Sequence, residues 1–153
     1  DGSGWYVPDQ MTITASERSY NTPPAVNPGL GQTIEGGTTP CTESAYSYFC
    51  DYCEPQTITI GTDAVISDPD GDTLTFSWRS LSDGIAIHSE TNLETAVVLS
   101  GAQPSEPDVC ESNEYSLELT AKDCTGAETS QVVTHVVRCC GYLPSDVVDT
   151  ATP

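Results

Sequence analysis

The sequence predicts an all-β protein, an antiparallel β-sandwich of about seven short strands. Three observations lead to this prediction. No segment shows helical periodicity over three turns, and segments of alternating polar and apolar residues recur about every 8–14 residues. Gly, Pro, Asp and Ser clusters separate those segments. A chain of 153 residues has room for one such domain with a tail at each end.

The clearest strand signals lie in the second two thirds of the chain. Leu74, Phe76 and Trp78, for example, share one face of a strand that the acidic turn DPDGD (68–72) precedes. The predicted strands are residues 56–60, 63–67, 73–81, 84–90, 94–100, 114–123 and 129–139. Ahead of them, residues 23–37 predict an opening turn and a short edge strand.

Residues 1–22 are predicted to form an N-terminal arm outside the sandwich. Within the arm, Met11, Ile13 and Ala15 fall on one side of a strand pattern, and Thr12 and Thr14 fall on the other. Two prolines at 23 and 24 separate this pattern from the sandwich, residues 23–140, and residues 141–153 form a second tail. The alternation makes residues 11–15 a candidate donor strand for a partner sheet.

Seven cysteines in so short a chain indicate a disulfide framework and therefore an extracellular, secreted or cell-surface location. Zinc is the competing explanation, but there is one CxxC pair, and the two histidines lie in strand-like sequence away from it. Pro55 argues against a thioredoxin-type helix after that pair. An odd number leaves one thiol free or bonded to another chain. The cysteines are Cys41, Cys50, Cys53, Cys110, Cys124, Cys139 and Cys140.

The charge balance excludes several classes of partner. There are 23 acidic and 4 basic residues, so the net charge is −19. Four cations cannot neutralise a row of phosphates or an anionic bilayer, and we expect no nucleic acid partner. The sequence contains no run of about 18 apolar residues, so no membrane span is predicted. The sequence has no GxSxG, HExxH or P-loop pattern, and we expect no catalysis.

Three stretches carry a resemblance to a known family: NTPPAVNPGLGQTIEGG (21–37), DPDGDTLTFSW (68–78) and EYSLELTAKD (114–123). Together they resemble the polycystic-kidney-disease (PKD) and related Ig-like or cadherin-like modules of bacterial surface proteins. The resemblance covers about residues 23–138, and a cysteine-rich insert at 38–55 lies outside its pattern. It implies an Ig-like sandwich in which Trp78 plugs the core and the Tyr115 hydroxyl bonds nearby backbone.

The sandwich topology that the resemblance implies also suggests a disulfide map. If residues 56–60 and 129–138 run parallel from the DPDGD pole, Cys124 is expected to bond Cys53 or Cys50. Cys110 is expected to bond Cys139 or Cys140 at the opposite pole, because a bridge needs α-carbons within about 7 Å. We expect Cys41 to close a small loop with Cys50 or Cys53. The unpaired residue is then Cys139 or Cys140.

One cluster of residues suggests a ligand. Asp68, Asp70 and Asp72 could supply hard oxygens to calcium, and the family resemblance adds Asp123 at the same pole. An EF-hand is rejected because its twelfth position, counted from Asp68, holds an arginine. The alternative is an ordinary Pro-Asp-Gly turn with solvated carboxylates. Calcium is therefore the one cofactor that the sequence suggests.

Two functions follow from the sequence as hypotheses. The favoured one is a non-catalytic extracellular structural protein, a surface-filament subunit that polymerises when its arm adds a strand to the sheet of another copy. The alternative is an Ig-like spacer, or a carbohydrate-binding or adhesion module, within a larger secreted or surface protein. The predicted partner is therefore a second copy of the chain, or alternatively another surface protein or a glycan.

Overall fold

A computed structural model describes residues 20–36, 53–101 and 110–140, and within these ranges the chain forms nine β-strands and no helix. The predicted all-β class is confirmed. The strands are β1 Ala25–Asn27, β2 Thr33–Glu35, β3 Gln56–Ile60, β4 Val65–Ser67, β5 Thr75–Ser80, β6 Ile85–Ile87, β7 Thr95–Leu99, β8 Cys110–Lys122 and β9 Glu128–Cys140. Nothing helical in these ranges could cross a bilayer.

The strands form the two layers of a sandwich. One sheet has the order β2-β9-β8-β5; the other has the order β3-β7-β6, and β1 pairs with β4. Every pairing is antiparallel except β2 with β9. Ig-like domains have seven strands, lettered A to G along the chain, with A, B, E and D in one sheet and C, F and G in the other. The nine segments correspond to these seven strands, because β1 and β2 together form strand A and β3 and β4 together form strand B.

The long hairpin β8–β9 forms the centre of the first sheet. Its register runs from Cys110 opposite Cys140 to Lys122 opposite Glu128. Alternate residues of both strands point into the core, as the period of two predicts. The hairpin extends four residues before the predicted start at Glu114, since a disulfide joins Cys110 to Cys140 beyond the alternating sequence.

Trp78 and Tyr115 take the roles that the resemblance implies. The Trp78 side chain is 1% exposed, and its indole N–H donates to the carbonyl oxygen of Leu93 at 3.0 Å. The Tyr115 hydroxyl donates to the carbonyl oxygen of Ser100. The buried apolar residues are Val26, Cys53, Ile60, Trp78, Val97, Leu99, Tyr115, Leu117, Leu119, Ala121, Val133, Val137 and Cys139.

The two ends of the sandwich differ. We call the end with loop 68–72 and turn 123–127 the acidic pole, and the end where β8 begins and β9 ends the disulfide pole. Cys53 precedes β3 and bonds Cys139, so β3 begins at the disulfide pole. After the turn at 61–64 the chain continues through β4 to the acidic pole. Residues 56–60 therefore run opposite to β9, and the predicted parallel arrangement is wrong.

This difference in direction corrects the disulfide map. The predicted bond between Cys53 and Cys124 is wrong, because the two residues lie at opposite poles. Cys53 instead bonds Cys139 with α-carbons 6.1 Å apart, and Cys124 is free and exposed. The prediction for Cys110 is confirmed with Cys140 as its partner. The prediction that Cys139 or Cys140 is unpaired is wrong, and Cys53 is no longer available to Cys41.

Several sequence predictions fall outside the described residues. They include the candidate donor strand Met11, Thr12, Ile13, Thr14 and Ala15, and the cysteines Cys41 and Cys50. The arm boundary at residue 22, the insert and the C-terminal tail also stay predictions.

Candidate functional site: the acidic pole

The acidic pole brings together the aspartates that the sequence singled out. Residues just before β1 join its two loops. The Asn21 side-chain amide donates to Asp123 Oδ2 at 2.8 Å, and the Thr22 backbone N–H donates to Asp70 Oδ2 at 2.6 Å. The predicted placement of Asp123 at the same pole as the DPDGD loop is therefore what the structure shows.

Asp68 organises the DPDGD loop from within. Its Oδ1 accepts hydrogen bonds from the backbone N–H groups of Asp70 at 2.8 Å and Asp72 at 3.1 Å. The Gly71 N–H donates to the Asp68 carbonyl at 3.3 Å, and Gly71 has a φ of 80°, in the left-handed region that glycine tolerates. The loop is thus a self-bonded aspartate turn. Asp68 Oδ2 is buried and has no hydrogen-bond partner among the described residues.

Asp123 is bonded more completely. Its Oδ1 accepts from the Thr125 N–H and hydroxyl, both at 2.8 Å, from the Gly126 N–H at 2.8 Å and from the Ala127 N–H at 2.9 Å. The side chain is 5% exposed. The hydrogen bond from Asn21, together with those from Thr125 and Ala127, holds the pKa of the Asp123 carboxyl at about 2, although burial acts in the opposite direction.

These contacts bear on the calcium hypothesis. A calcium ion takes six to eight oxygen ligands, and both Asp123 oxygens already accept protein donors. In the described ranges no group of three or more His, Cys, Asp or Glu residues is placed to hold a metal ion. Calcium stays a prediction from the sequence. What the aspartates do is fold two loops and fasten the start of β1.

The free thiol of Cys124 lies at this pole. Desolvation raises its pKa above the ordinary value, and the charge of Asp72 and a hydrogen bond to it act in the same direction. Thiolate is the reactive form of cysteine, so these neighbours suppress the reactivity of Cys124 at neutral pH.

The sequence did not single out His135, the second histidine. Its side chain is 2% exposed and lies on the inward face of β9. Its position between Val133 and Val137, at the spacing of two, was the signal that could have identified a core histidine.

Replacing Asp123 with asparagine is expected to lower the melting temperature, because an amide accepts hydrogen bonds less strongly than a carboxylate. Since folding depresses the Asp123 pKa, its contribution is present above the ordinary aspartate pKa and is lost as the pH falls through about 2. The difference between variant and wild type should therefore shrink in acid. Thermal unfolding followed by circular dichroism measures it, with Asp83→Asn, at an exposed aspartate that makes no hydrogen bond or ion pair among the described residues, as the control.

Melting temperatures measured with and without calcium distinguish a structural role of Asp123 from a role as a calcium ligand. The Asp123→Asn difference is expected to be the same with added calcium and with a chelator. A wild-type protein that melts higher in calcium, while the variant does not, would contradict the structural role and support the ion.

Comparisons with known proteins identify no family for the chain. No protein-family model and no curated protein matches it. One similar solved structure is a nucleoside hydrolase-related hypothetical protein from Saccharophagus degradans that is associated with carbohydrate metabolism. The TM-score is 0.46 and the identity 17%, over 78% of this chain and 26% of that chain. The match thus spans about a quarter of that protein.

A second similar structure is the solution structure of the PKD domain from KIAA 1837 protein. Its TM-score is 0.43 and its identity 14%, over 80% of this chain and 93% of that domain. At these scores neither similarity carries a functional argument.

Proposed function

We propose that the chain is a non-catalytic structural module of an extracellular or cell-surface protein, and that it assembles into a filament by strand addition. Two disulfides in the described residues support the extracellular part, since such bonds persist in oxidising compartments. The polar residues at the acidic pole bond one another and the backbone, which supports a structural role for them.

The observation that carries the assembly proposal is that the edge of β3 away from β7 has no partner strand among residues 20–36, 53–101 and 110–140. The first strand of the sandwich consists of β1 and β2. β1 pairs with β4 and does not continue along β3. After residues 28–32 the chain has crossed to the other sheet, where β2 pairs with β9. Among the described residues, β3 pairs with β7 on one side. On its other side the Gln32 side chain donates to the Thr59 carbonyl at 3.3 Å. Such an edge invites a further strand.

The arm has the length and the pattern that this edge would accept. β3 is five residues long and exposes Thr57 and Thr59 while its other residues face inward. Residues 11–15 are also five, with threonine at 12 and 14 and apolar residues between them. A donor strand keeps its apolar side on the core and gains main-chain hydrogen bonds. We assign residues 11–15 of one copy to the β3 edge of the next.

Removing residues 1–19 tests this assembly and keeps Asn21 and Thr22, which fasten the acidic pole. The full chain is expected to form concentration-dependent polymers in light scattering and electron microscopy without reductant. The truncated chain should be a monomer with an unchanged melting temperature. Ile13→Asp, on the apolar side of the arm, should also stop assembly, whereas Thr12→Asp, on the polar side, should not.

Polymers of the truncated chain would exclude the arm as donor. A monomeric full chain would exclude the filament and favour the alternative, an Ig-like spacer or a carbohydrate-binding or adhesion module.

A further inference from the structure

Gln32 fastens the short edge strand β2 to both sheets. Its backbone N–H donates to His135 Nδ1 at 3.2 Å, and its carbonyl accepts from the Val136 N–H at 2.8 Å. Its side chain reaches Thr59 in the opposite sheet. Because β2 has three residues, these bonds are a large part of what holds it against β9.

The bond to His135 fixes the protonation state of the imidazole. Nδ1 accepts a hydrogen bond, so the ring is neutral and its proton is on Nε2. Nε2 is buried and has no partner among the residues that the structure describes. The ring lines a cavity of about 70 Å³ together with Ile60, Gly61 and Asp63. A polar cavity of this size has room for water, and Gln32 lines it as well as His135.

We propose that His135 is an acid-operated latch: protonation of its imidazole releases β2 from β9 while the rest of the sandwich stays folded. An imidazolium donates from both nitrogens, so Nδ1–H would face the Gln32 N–H, donor against donor. The released strand would uncover the backbone edge of β9 at residues 136–138, where β2 now pairs. That edge would then be open to another strand.

The charged and titratable groups around the latch lie on β2, β8, β9 and the turn after β3. Asp63 lines the same cavity from the turn between β3 and β4 and is exposed to solvent. Tyr115 is the register partner of His135 on β8. At the far end of β2, Glu35 forms a solvent-exposed ion pair with Arg138 at 3.4 Å.

Burial sets the direction of the pH dependence. It lowers the pKa of His135 in the closed state below the ordinary histidine value. A released His135 binds a proton more readily, so the closed state is fully stable above about pH 6.5 and loses stability below it. The latch is thus closed at neutral pH and opens in mild acid.

Amide hydrogen exchange between about pH 7.5 and about pH 5, corrected for the intrinsic rate, tests the latch. Protection of the Val136 and Gly36 amides, which bond across β2 and β9, is expected to fall by up to about tenfold per pH unit, the limit for one proton. The amides of Trp78 and Leu119 should not change. In His135→Asn, which keeps an acceptor near Nδ1, the fall should disappear. His88→Asn, at the exposed histidine, should behave as wild type.

Uniform loss of protection over the whole sandwich, or the same fall in His135→Asn, would overturn the proposal. If His135→Asn does not fold, nuclear magnetic resonance of the wild-type protein tests the latch instead. The His135 ring and the Gln32 amide must then titrate together, below the ordinary histidine pKa of about 6.5. A Gln32 amide that does not follow His135 would overturn the latch.

Discussion

Replacing Cys53 and Cys139 together with alanine is expected to lower the free energy of unfolding by about 4–5 kcal/mol. Their bond links residues 86 apart in sequence and joins the start of β3 to the last strand of the other sheet. Both cysteines are buried, at 2% and 0% exposure. Gly36 lies against them, since a Cβ there would be 2.6 Å from the Cys139 sulfur. Alanine is chosen over serine because a serine hydroxyl would lie in this contact.

The second disulfide provides the matched control. Cys110 and Cys140 are 30 residues apart and already face each other at the open end of the β8–β9 hairpin. The shorter loop predicts a loss about 1 kcal/mol smaller for the double alanine variant. Denaturant unfolding without reductant measures both. A loss for Cys110 and Cys140 that equals or exceeds the loss for Cys53 and Cys139 would contradict the inter-sheet bond as the stronger constraint.

The strands that the sequence predicted well are those whose alternation is visible locally. Residues 56–60 match β3, and the predictions for β5, β7 and β9 differ from the structure by one or two residues at each end. Residues 23–37 were predicted to form one edge strand and form two. Pro28 and Gly29, which has a φ of 90°, end β1. Which sheet each half joins depends on distant neighbours that local sequence does not encode.

The error in the disulfide map has the same cause. The predicted parallel arrangement of residues 56–60 and 129–138 requires the chain to reverse between residues 60 and 63. A turn is present there, with the Ala64 N–H donating to the Gly61 carbonyl. The chain nevertheless continues in its direction, because β3 pairs with β7 and β4 with β1 instead of with each other. A turn signal gives the local backbone conformation and does not say whether the flanking strands pair.

At the acidic pole the sequence predicted the location of Asp123 and not its bonding. The sequence Asp-Cys-Thr-Gly-Ala after β8 is typical of an aspartate that caps its own turn, and the N–H groups of residues 125–127 all donate to its carboxylate. That pattern could have indicated a structural carboxylate. The contact from Asn21, 102 residues away, could not have been predicted, since it depends on the path of the chain before β1.

Stability is therefore divided between the two poles by different chemistry. Covalent bonds tie the disulfide pole, where Cys53 meets Cys139, and hydrogen bonds to an ionised carboxylate tie the acidic pole. Reductant should weaken the first and leave the Asp123 contacts in place. Strong acid should weaken the second and leave the sulfur bonds in place. The core between the poles is common to both, and its largest side chain is Trp78.

Replacing Trp78 with alanine is expected to cost about 3–5 kcal/mol and to leave little folded protein at physiological temperature. The indole is 1% exposed between the sheets, and its N–H donates to the Leu93 carbonyl in the connection between β6 and β7 of the opposite sheet. Leu93 in turn packs closely on Gly61, where a Cβ would lie 2.8 Å from the carbonyl carbon of Leu93.

Trp78→Phe keeps an aromatic ring, loses the hydrogen bond and is expected to cost about 1–3 kcal/mol. Urea unfolding followed by circular dichroism distinguishes these values. A loss below about 1 kcal/mol for Trp78→Ala would mean that the indole is not the plug between the sheets.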